Sequence, residues 1–343
     1  TPGTTVLIYD QVCAAEKRRR RKRGLMADPD KRIVINEAVC EGCGDCSVKS
    51  NCIAVEPLQT ELGRKRQINQ SACNKDFSCT KGFCPSFVEV EGGKLRKAVS
   101  AGEVPIVPDI AIPALNGPWR MLIAGIGGTG VVTISALLGT AAHLEGKVCG
   151  ILDQTGMAQK GGAVASHITI ARSQNEVGTL HVTHDSVDVL IGADAVFTSD
   201  SDILETLSPG QSVAIINADI APTGEFVRNA NLDFRTPLIR KRILTALGEK
   251  NVYFAPAARL ATKIVGDTIA ANIMLIGFAF QKRLIPISEE AILKAIELNG
   301  AAVAMNKTAF AWGRALAHDP ASVEKLIAGS DRNVPNSLEE RLV

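Results

Sequence analysis

Cys40-Glu-Gly-Cys43-Gly-Asp-Cys46, followed after five residues by Cys52, and Cys73-Asn-Lys-Asp76-Phe-Ser-Cys79, followed after four residues by Cys84-Pro85, hold seven of the nine cysteines of this 343-residue chain. Each half has three positions spaced by two residues and then a detached cysteine, so the halves read as complements in one module. Only the middle position of the second run departs, with Asp76 where a third thiol is expected.

In two-cluster ferredoxins each C-x2-C-x2-C loop wraps one cubane, and the fourth cysteine of each run crosses to the other cluster. That rule assigns Cys40, Cys43, Cys46 and Cys84 to one 4Fe–4S cluster and Cys52, Cys73 and Cys79 to a second, with Asp76 as a weaker carboxylate ligand. Zinc fits the pattern poorly, because a ribbon uses two separated C-x2-C pairs and has no place for a third cysteine two residues on. A disulfide framework belongs to small secreted domains, and no signal peptide is visible. The gap before Cys52, the extra residue before Cys84 and Asp76 all depart from the strict bacterial spacing.

The length allows two or three domains. With 38 basic and 36 acidic residues the net charge is +2, which gives no general attraction to nucleic acid or an acidic membrane surface. Cys13 and Cys149 stand alone and read as reduced thiols, so the expected compartment is the cytoplasm. The apolar stretch from Ile264 to Phe280 carries Asp267 and Asn272 and reads as a buried helix, not a membrane span. A strand expected over Thr5–Tyr9 has nothing before it to pair with, and the chain looks like a piece of a longer polypeptide. The run Arg18-Arg19-Arg20-Arg21-Lys22-Arg23 has no interleaved aromatics and reads as a charged arm.

The expected organisation is a tail over 1–25, the cysteine module over 26–92 with a hairpin near residues 61–68, and a proline-punctuated linker over 93–118. An α/β domain over 119–320 and a further segment over 321–343 follow. The α/β domain opens with a strand from Trp119, the loop Gly125-Ile-Gly127-Gly128-Thr-Gly130, an alanine-rich helix and a strand ending at Asp153. Amides at such a helix start can hold a phosphate, and Asp153 lies near the position of a ribose-binding acid. The glycines also have a sufficient reason in close packing, so NAD or flavin binding stays one reading of them. Next comes Gly156-Met-Ala-Gln-Lys160-Gly161-Gly162, and then an alternating strand through Ser166-His167-Ile168. Further strands are expected at 187–191, 195–198, 213–217 and 251–255, and helices at 258–282, 288–297 and 307–317.

Taken together, the cysteine module, Gly-Ile-Gly-Gly-Thr-Gly, Gly156–Gly162 and Ser166-His167-Ile168 resemble the thiamine-dependent 2-oxoacid:ferredoxin oxidoreductases, most closely the fused bacterial indolepyruvate type. The resemblance implies a ferredoxin-like iron–sulfur module followed by a Rossmann-like gamma-type catalytic domain. It implies oxidative decarboxylation of an arylpyruvate with coenzyme A to an aryl-acetyl-CoA and carbon dioxide, with electrons passing through 4Fe–4S clusters to ferredoxin. Thiamine diphosphate and magnesium would belong to thiamine domains of a longer chain, in a homo-oligomer with no nucleic acid or membrane partner. Gly125, Gly127, Gly128, Gly130, Lys160, Gly161 and Gly162 would face a phosphate-bearing cofactor. No catalytic base is assigned. The remaining readings are an iron–sulfur subunit whose glycine loop binds NAD or flavin, and a zinc-stabilised binding module.

Overall fold

Two packing units divide the chain in the computed structural model, which describes residues 3–8, 10, 12–93, 104–156, 162–221, 225–226, 229 and 231–330. The first gathers Thr1–Leu95 with Pro222–Leu232, and the second Arg96–Ala221 with Asp233–Val343. The first unit contains α1 (Ala14–Lys22), β1 (Lys31–Ile35), α2 (Asp45–Ser50), β2 (Val55–Thr60), β3 (Gly63–Ile68), a 3-10 turn at Ser78–Lys81 and β4 (Phe87–Glu91). Strands β1 and β4 pair antiparallel, with Ile35 opposite Phe87, and β2 and β3 form the expected hairpin, with Thr60 opposite Gly63. The interior is small: Ile35, Cys40 and Val55 are buried, with Cys46, Cys52, Cys79, Ile68 and Phe87 packed around them. Four of those eight side chains are cysteines, so sulfur does much of the work that aliphatic groups do in a larger core.

The strand expected over Thr5–Tyr9 is a correction. Thr5–Ile8 have no regular structure and are exposed, and Tyr9 lies outside the described residues. An extended segment needs a partner for its amides, and these residues are not paired in any sheet of the described chain.

In the second unit, β5 (Trp119–Ile126) is apolar from Met121 to Ala124 because both of its faces are covered. Met121 and Ile123 join one core and Leu122 and Ala124 the other, as alternation along a strand requires. With β6 (Val148–Thr155), β7 (Ala163–Ala171), β8 (Val189–Gly192), β9 (Val213–Asn217) and β10 (Val252–Ala255) it builds a six-stranded sheet in the order β10-β9-β8-β5-β7-β6. The architecture is mixed α/β around this sheet. Strands β10, β9, β8 and β5 run parallel, whereas β7 is antiparallel to both β5 and β6. This corrects the simple Rossmann expectation: after helix α3 (Val131–Leu144) the chain does not return beside β5, because β7 takes that place.

Two further expectations change. Residues Ala195–Thr198 form a short helix instead of a strand, since Asp194 Oδ1 accepts the Phe197 amide at 2.8 Å and caps it. The long helix over 258–282 is broken at Gly266 and Asp267 into α8 (Ala257–Val265), a 3-10 turn at Thr268–Ala270 and α9 (Ala271–Gln281); for these labels, α4 (Gln174–Val177), α5 (Ala195–Thr198), α6 (Ser201–Leu204) and α7 (Thr236–Leu247) precede. Helices α10 (Glu289–Asn299), α11 (Val303–His318) and α12 (Pro320–Ser330) complete the flank. Residues 104–117 have no regular structure, yet Val104, Val107, Ile110 and Leu115 lie on the core, and Pro108 O accepts from Gln281 Nε2 at 3.0 Å. Among the described residues no helix is long and apolar enough to cross a membrane.

Helices α9 and α11 touch backbone to backbone. A Cβ on Gly277 would sit 2.1 Å from Phe310 O, and one on Gly313 would sit 2.0 Å from Met274 O, so the two glycines open a reciprocal crossing. Alanine gains helix propensity but must push the helices apart, and overpacking costs about 1–3 kcal/mol. We expect Gly277→Ala and Gly313→Ala each to lower unfolding free energy by roughly that amount in denaturant titrations, and the pair to lose less than the sum because one separation relieves both clashes. Two neutral single variants would show that the helices can part freely.

Candidate functional site

The two cysteine runs share a backbone design. In the first, Gly42 (φ 76°) and Gly44 (φ 82°) are left-handed, and Gly44 opens α2. In the second, the corresponding Lys75 (φ 54°) and Phe77 (φ 56°) are also left-handed, and Phe77 opens the 3-10 turn. Glycine is required at position 42, where a Cβ would lie 2.1 Å from Arg64 O on β3. The second loop holds the same turns with side chains present, at a cost of about 1 kcal/mol or more per residue. Alternating left- and right-handed residues aim successive amides into one concavity, a form that suits anionic groups including iron–sulfur clusters.

Around that frame the thiols fall into neighbourhoods. Burial is the main cause that pushes the Cys79 thiol up to about 11, and the charges of Cys52, Cys73 and Cys46 add to it. Burial also raises Cys46, against the pull of hydrogen bonds from Ser47 and the positive charge of Arg66. Cys73 Sγ accepts the Lys75 amide at 3.4 Å, and Lys65 Nζ donates to Cys40 O at 2.6 Å. Cys84 is exposed, with Sγ 3.0 Å from Ser86 Oγ. Asp76 is exposed too, and its Oδ1 is 3.5 Å from Lys17 Nζ on α1. One turn along, Arg21 donates to Asn74 O and Lys75 O, so the basic run folds onto the second loop. No disulfide joins any of the nine cysteines, and among the described residues no three His, Cys, Asp or Glu side chains converge on a single-ion site. Soft thiolates on amide-lined loops fit an iron–sulfur cluster by donor chemistry.

In the second unit the glycine loop follows β5. Gly125 lies where a Cβ would be 2.7 Å from Val131 Cγ2, which is a packing requirement. Gly128 and Gly130 are left-handed (φ 88° and 93°), and Gly130 caps α3. The Gly127 amide donates to Gly162 O at 2.7 Å, so two of the segments singled out in sequence meet; Lys160 and Gly161 lie outside the described residues. Gly127 and Thr129 thus spend their amides within the protein, the latter on Ile126 O at 3.3 Å. Sequence reasoning missed the loop's anchor: buried Asn272 on α9 donates through Nδ2 to Thr129 O at 2.9 Å. Its signal was a lone amide in an apolar helix.

Asp153 does not stand beside β5. It accepts from Ser135 Oγ at 3.0 Å and from Ser166 Oγ, which removes the ribose partner that a dinucleotide reading needs. On the next position of β7, His167 Nδ1 accepts the Val182 amide at 3.3 Å, leaving Nε2–H to face Gln154 Oε1 at 3.2 Å, and the ring stacks on His181 at 4.5 Å. Burial, helped by His181 and opposed by Asp153, lowers the His167 pKa to about 4. Free histidine titrates near 6.5, so the unfolded chain binds the extra proton first and stability falls as pH drops from about 6.5 to about 4. We expect this one group to remove up to about 3 kcal/mol across that window. Unfolding titrations at pH 7 and 4.5 should show a smaller acid loss in His167→Gln than in the wild type; equal losses would remove the argument.

Comparison with known proteins bears on the second unit. The family model described as pyruvate ferredoxin/flavodoxin oxidoreductase matches residues 120–316. The 2-oxoglutarate synthase subunit KorC of Methanothermobacter marburgensis is 30% identical over 158 residues, 45% of this chain and 72% of that protein. The indolepyruvate oxidoreductase subunit IorB of Thermococcus kodakarensis is 25% identical over 183 residues, 53% of this chain and 86% of that protein. Among solved structures, the pyruvate oxidoreductase subunit PORC of Thermotoga maritima aligns with a TM-score of 0.42 at 21% identity, over 58% of this chain and 96% of that one. With the family match extending over more than half of its residues, the chain belongs to the pyruvate ferredoxin/flavodoxin oxidoreductase family.

Proposed function

We propose that this chain is the electron-carrying and gamma-type part of a 2-oxoacid:ferredoxin oxidoreductase that decarboxylates an arylpyruvate, such as indolepyruvate, with coenzyme A. Carbon dioxide and an aryl-acetyl-CoA leave, and two electrons pass to ferredoxin. Thiamine diphosphate with magnesium, on thiamine domains of the same longer polypeptide, supplies the carbanion stabilisation that decarboxylation needs. This chain's residues carry the electrons away: Cys40, Cys43, Cys46 and Cys84 hold one 4Fe–4S cluster, and Cys52, Cys73, Cys79 and Asp76 hold the other. The loop of Gly125, Gly127, Gly128 and Gly130, with Lys160, Gly161 and Gly162, faces the phosphates of coenzyme A or of the thiamine cofactor. The assembly is a cytoplasmic homo-oligomer.

One observation carries the electron-transfer reading. The left-handed pair at Gly42 and Gly44 is repeated at Lys75 and Phe77, where no glycine relieves the strain. Strain kept at matching positions of two cysteine loops supports two sites of one kind. The test uses the complete enzyme, isolated without oxygen. About eight irons should reside in this segment, and reduction of ferredoxin should require both coenzyme A and the arylpyruvate, with 2-oxoglutarate a poor substitute. About four irons would confine the clusters to the first loop, zinc in their place would end the reading, and a preference for 2-oxoglutarate would move the substrate to that of the KorC relatives.

Asp76 gives the second cluster one hard oxygen donor among soft thiolates. Treatment with ferricyanide should therefore remove one electron and one ferrous ion from that cluster and leave a three-iron signal in electron paramagnetic resonance. Asp76→Cys should suppress the signal. If wild type and variant are alike and neither shows three-iron species, Asp76 is simply the loop's ion-pair partner for Lys17.

A further inference from the structure

Ser86 is 2% exposed, and the partner of its hydroxyl among the described residues is a sulfur: Oγ lies 3.0 Å from Sγ of Cys84. Its backbone is pinned as well, since Ser86 O accepts the Asn36 amide at 2.7 Å. Asn36 O in turn accepts the amide of Cys40 at 3.0 Å, so one asparagine joins the Cys84 segment to the first cysteine of the first loop. The strand register has the same effect: Ile35 at the end of β1 is opposite Phe87 at the start of β4, and the chain leaves that pair toward Cys40 and reaches it from Cys84. Two cysteines from opposite ends of the module are thus brought to one end of the β1–β4 ladder. A free thiol leaves open which atom of the Ser86–Cys84 hydrogen bond donates. A ligating cysteine does not, because binding iron removes its proton; Sγ can then only accept, and the Ser86 O–H donates.

We propose that Ser86 is a positioning residue whose hydroxyl donates to ligated Cys84 Sγ and raises the reduction potential of the cluster that Cys84 holds with the first loop. The proposal rests on the two-cluster reading given above. Reduction adds one electron to the cluster and places more negative charge on its sulfurs. The hydroxyl keeps its proton throughout, and its dipole, positive end toward Sγ, favours the reduced form. Hydrogen bonds to the sulfurs are among the levers by which a protein sets such potentials, and one made to a thiolate is stronger than a neutral one. The donor is buried although the sulfur is exposed, so water has little access to the hydroxyl and its direction is held. Ser86 thereby makes electron entry into that cluster easier than cysteine ligation alone would.

The experiment is a redox titration followed by electron paramagnetic resonance on the complete enzyme, with iron counted in every sample. The wild type should show two midpoints. Ser86→Ala should move one of them to more negative potential at full iron content and leave the other unmoved. Asp76→Cys marks the second cluster and should move that other midpoint. Ser86→Thr keeps the hydroxyl and should stay close to the wild type, a rescue that a purely packing role would not produce. Should Ser86→Ala lose its cluster, the wild type still decides: after exchange into deuterium oxide, electron–nuclear double resonance on the reduced first cluster should lose the coupling of an exchangeable proton, and a spectrum unchanged by exchange overturns the hydrogen bond. Full iron content with both midpoints unchanged in Ser86→Ala overturns the role of Ser86. A shift in the same midpoint that Asp76→Cys moves overturns the assignment of Cys84 to the first loop. Zinc, or only about four irons, in the wild type overturns the two-cluster reading beneath it.

Discussion

Strand β5 can be apolar on both faces only if both are covered, and the second unit is arranged to meet that requirement. Helix α3 and the α8–α11 group lie on one side, while α7 supplies Ile239, Ile243 and Leu247 to the other. The strand's two neighbours differ in direction: β8 is parallel, continuing the series to β10, and β7 is antiparallel. The insertion of β7 brings Gly162 to the amide of Gly127 and moves Asp153 one strand away from β5. A local motif shared with dinucleotide folds therefore has different surroundings, and its chemistry changes with them.

The first unit follows another logic. Its interior has too few aliphatic side chains for a chain of its length to rely on hydrophobic burial alone, and small domains in that position often depend on a bound inorganic group. Thiols, left-handed loop residues and paired charges together make up the unit's centre and its rim. The basic run at Arg18–Arg23 belongs to the same economy of charge, since Arg21 from it and Lys17 beside it engage the second loop.

Much of this was legible in the sequence because the signals were local. Cysteine spacing marked both loops, continuous apolar runs gave β5 and β9 nearly to the residue, and alternation gave β7. The hairpin near residues 61–68 was announced by its turn. What could not be read depended on partners far along the chain. Ala195–Thr198 looked like a strand by composition, but the cap from Asp194 makes a helix. The break at Gly266-Asp267 was hidden within an apolar stretch. Phe226 meets Arg66 across a separation that no motif spans, and Asn272 finds Thr129 in the same way. The antiparallel place of β7 is likewise a matter of pairing, which period-2 alternation specifies only as to face and not as to neighbour.

The position of β7 also orders events as the second unit folds. Strands β6 and β7 are joined through residues 156–162 and pair antiparallel, so they close a short loop. Pairing of β5 with β7 must wait for that ribbon, because it spans α3 and β6 and pays a larger loop-closure entropy. In the folded unit Ile168 and Ile170 on β7 are fully buried in the core that this pairing helps to close. The same pairing completes the glycine loop, because the Gly127 amide meets Gly162 O only where β5 and β7 lie side by side.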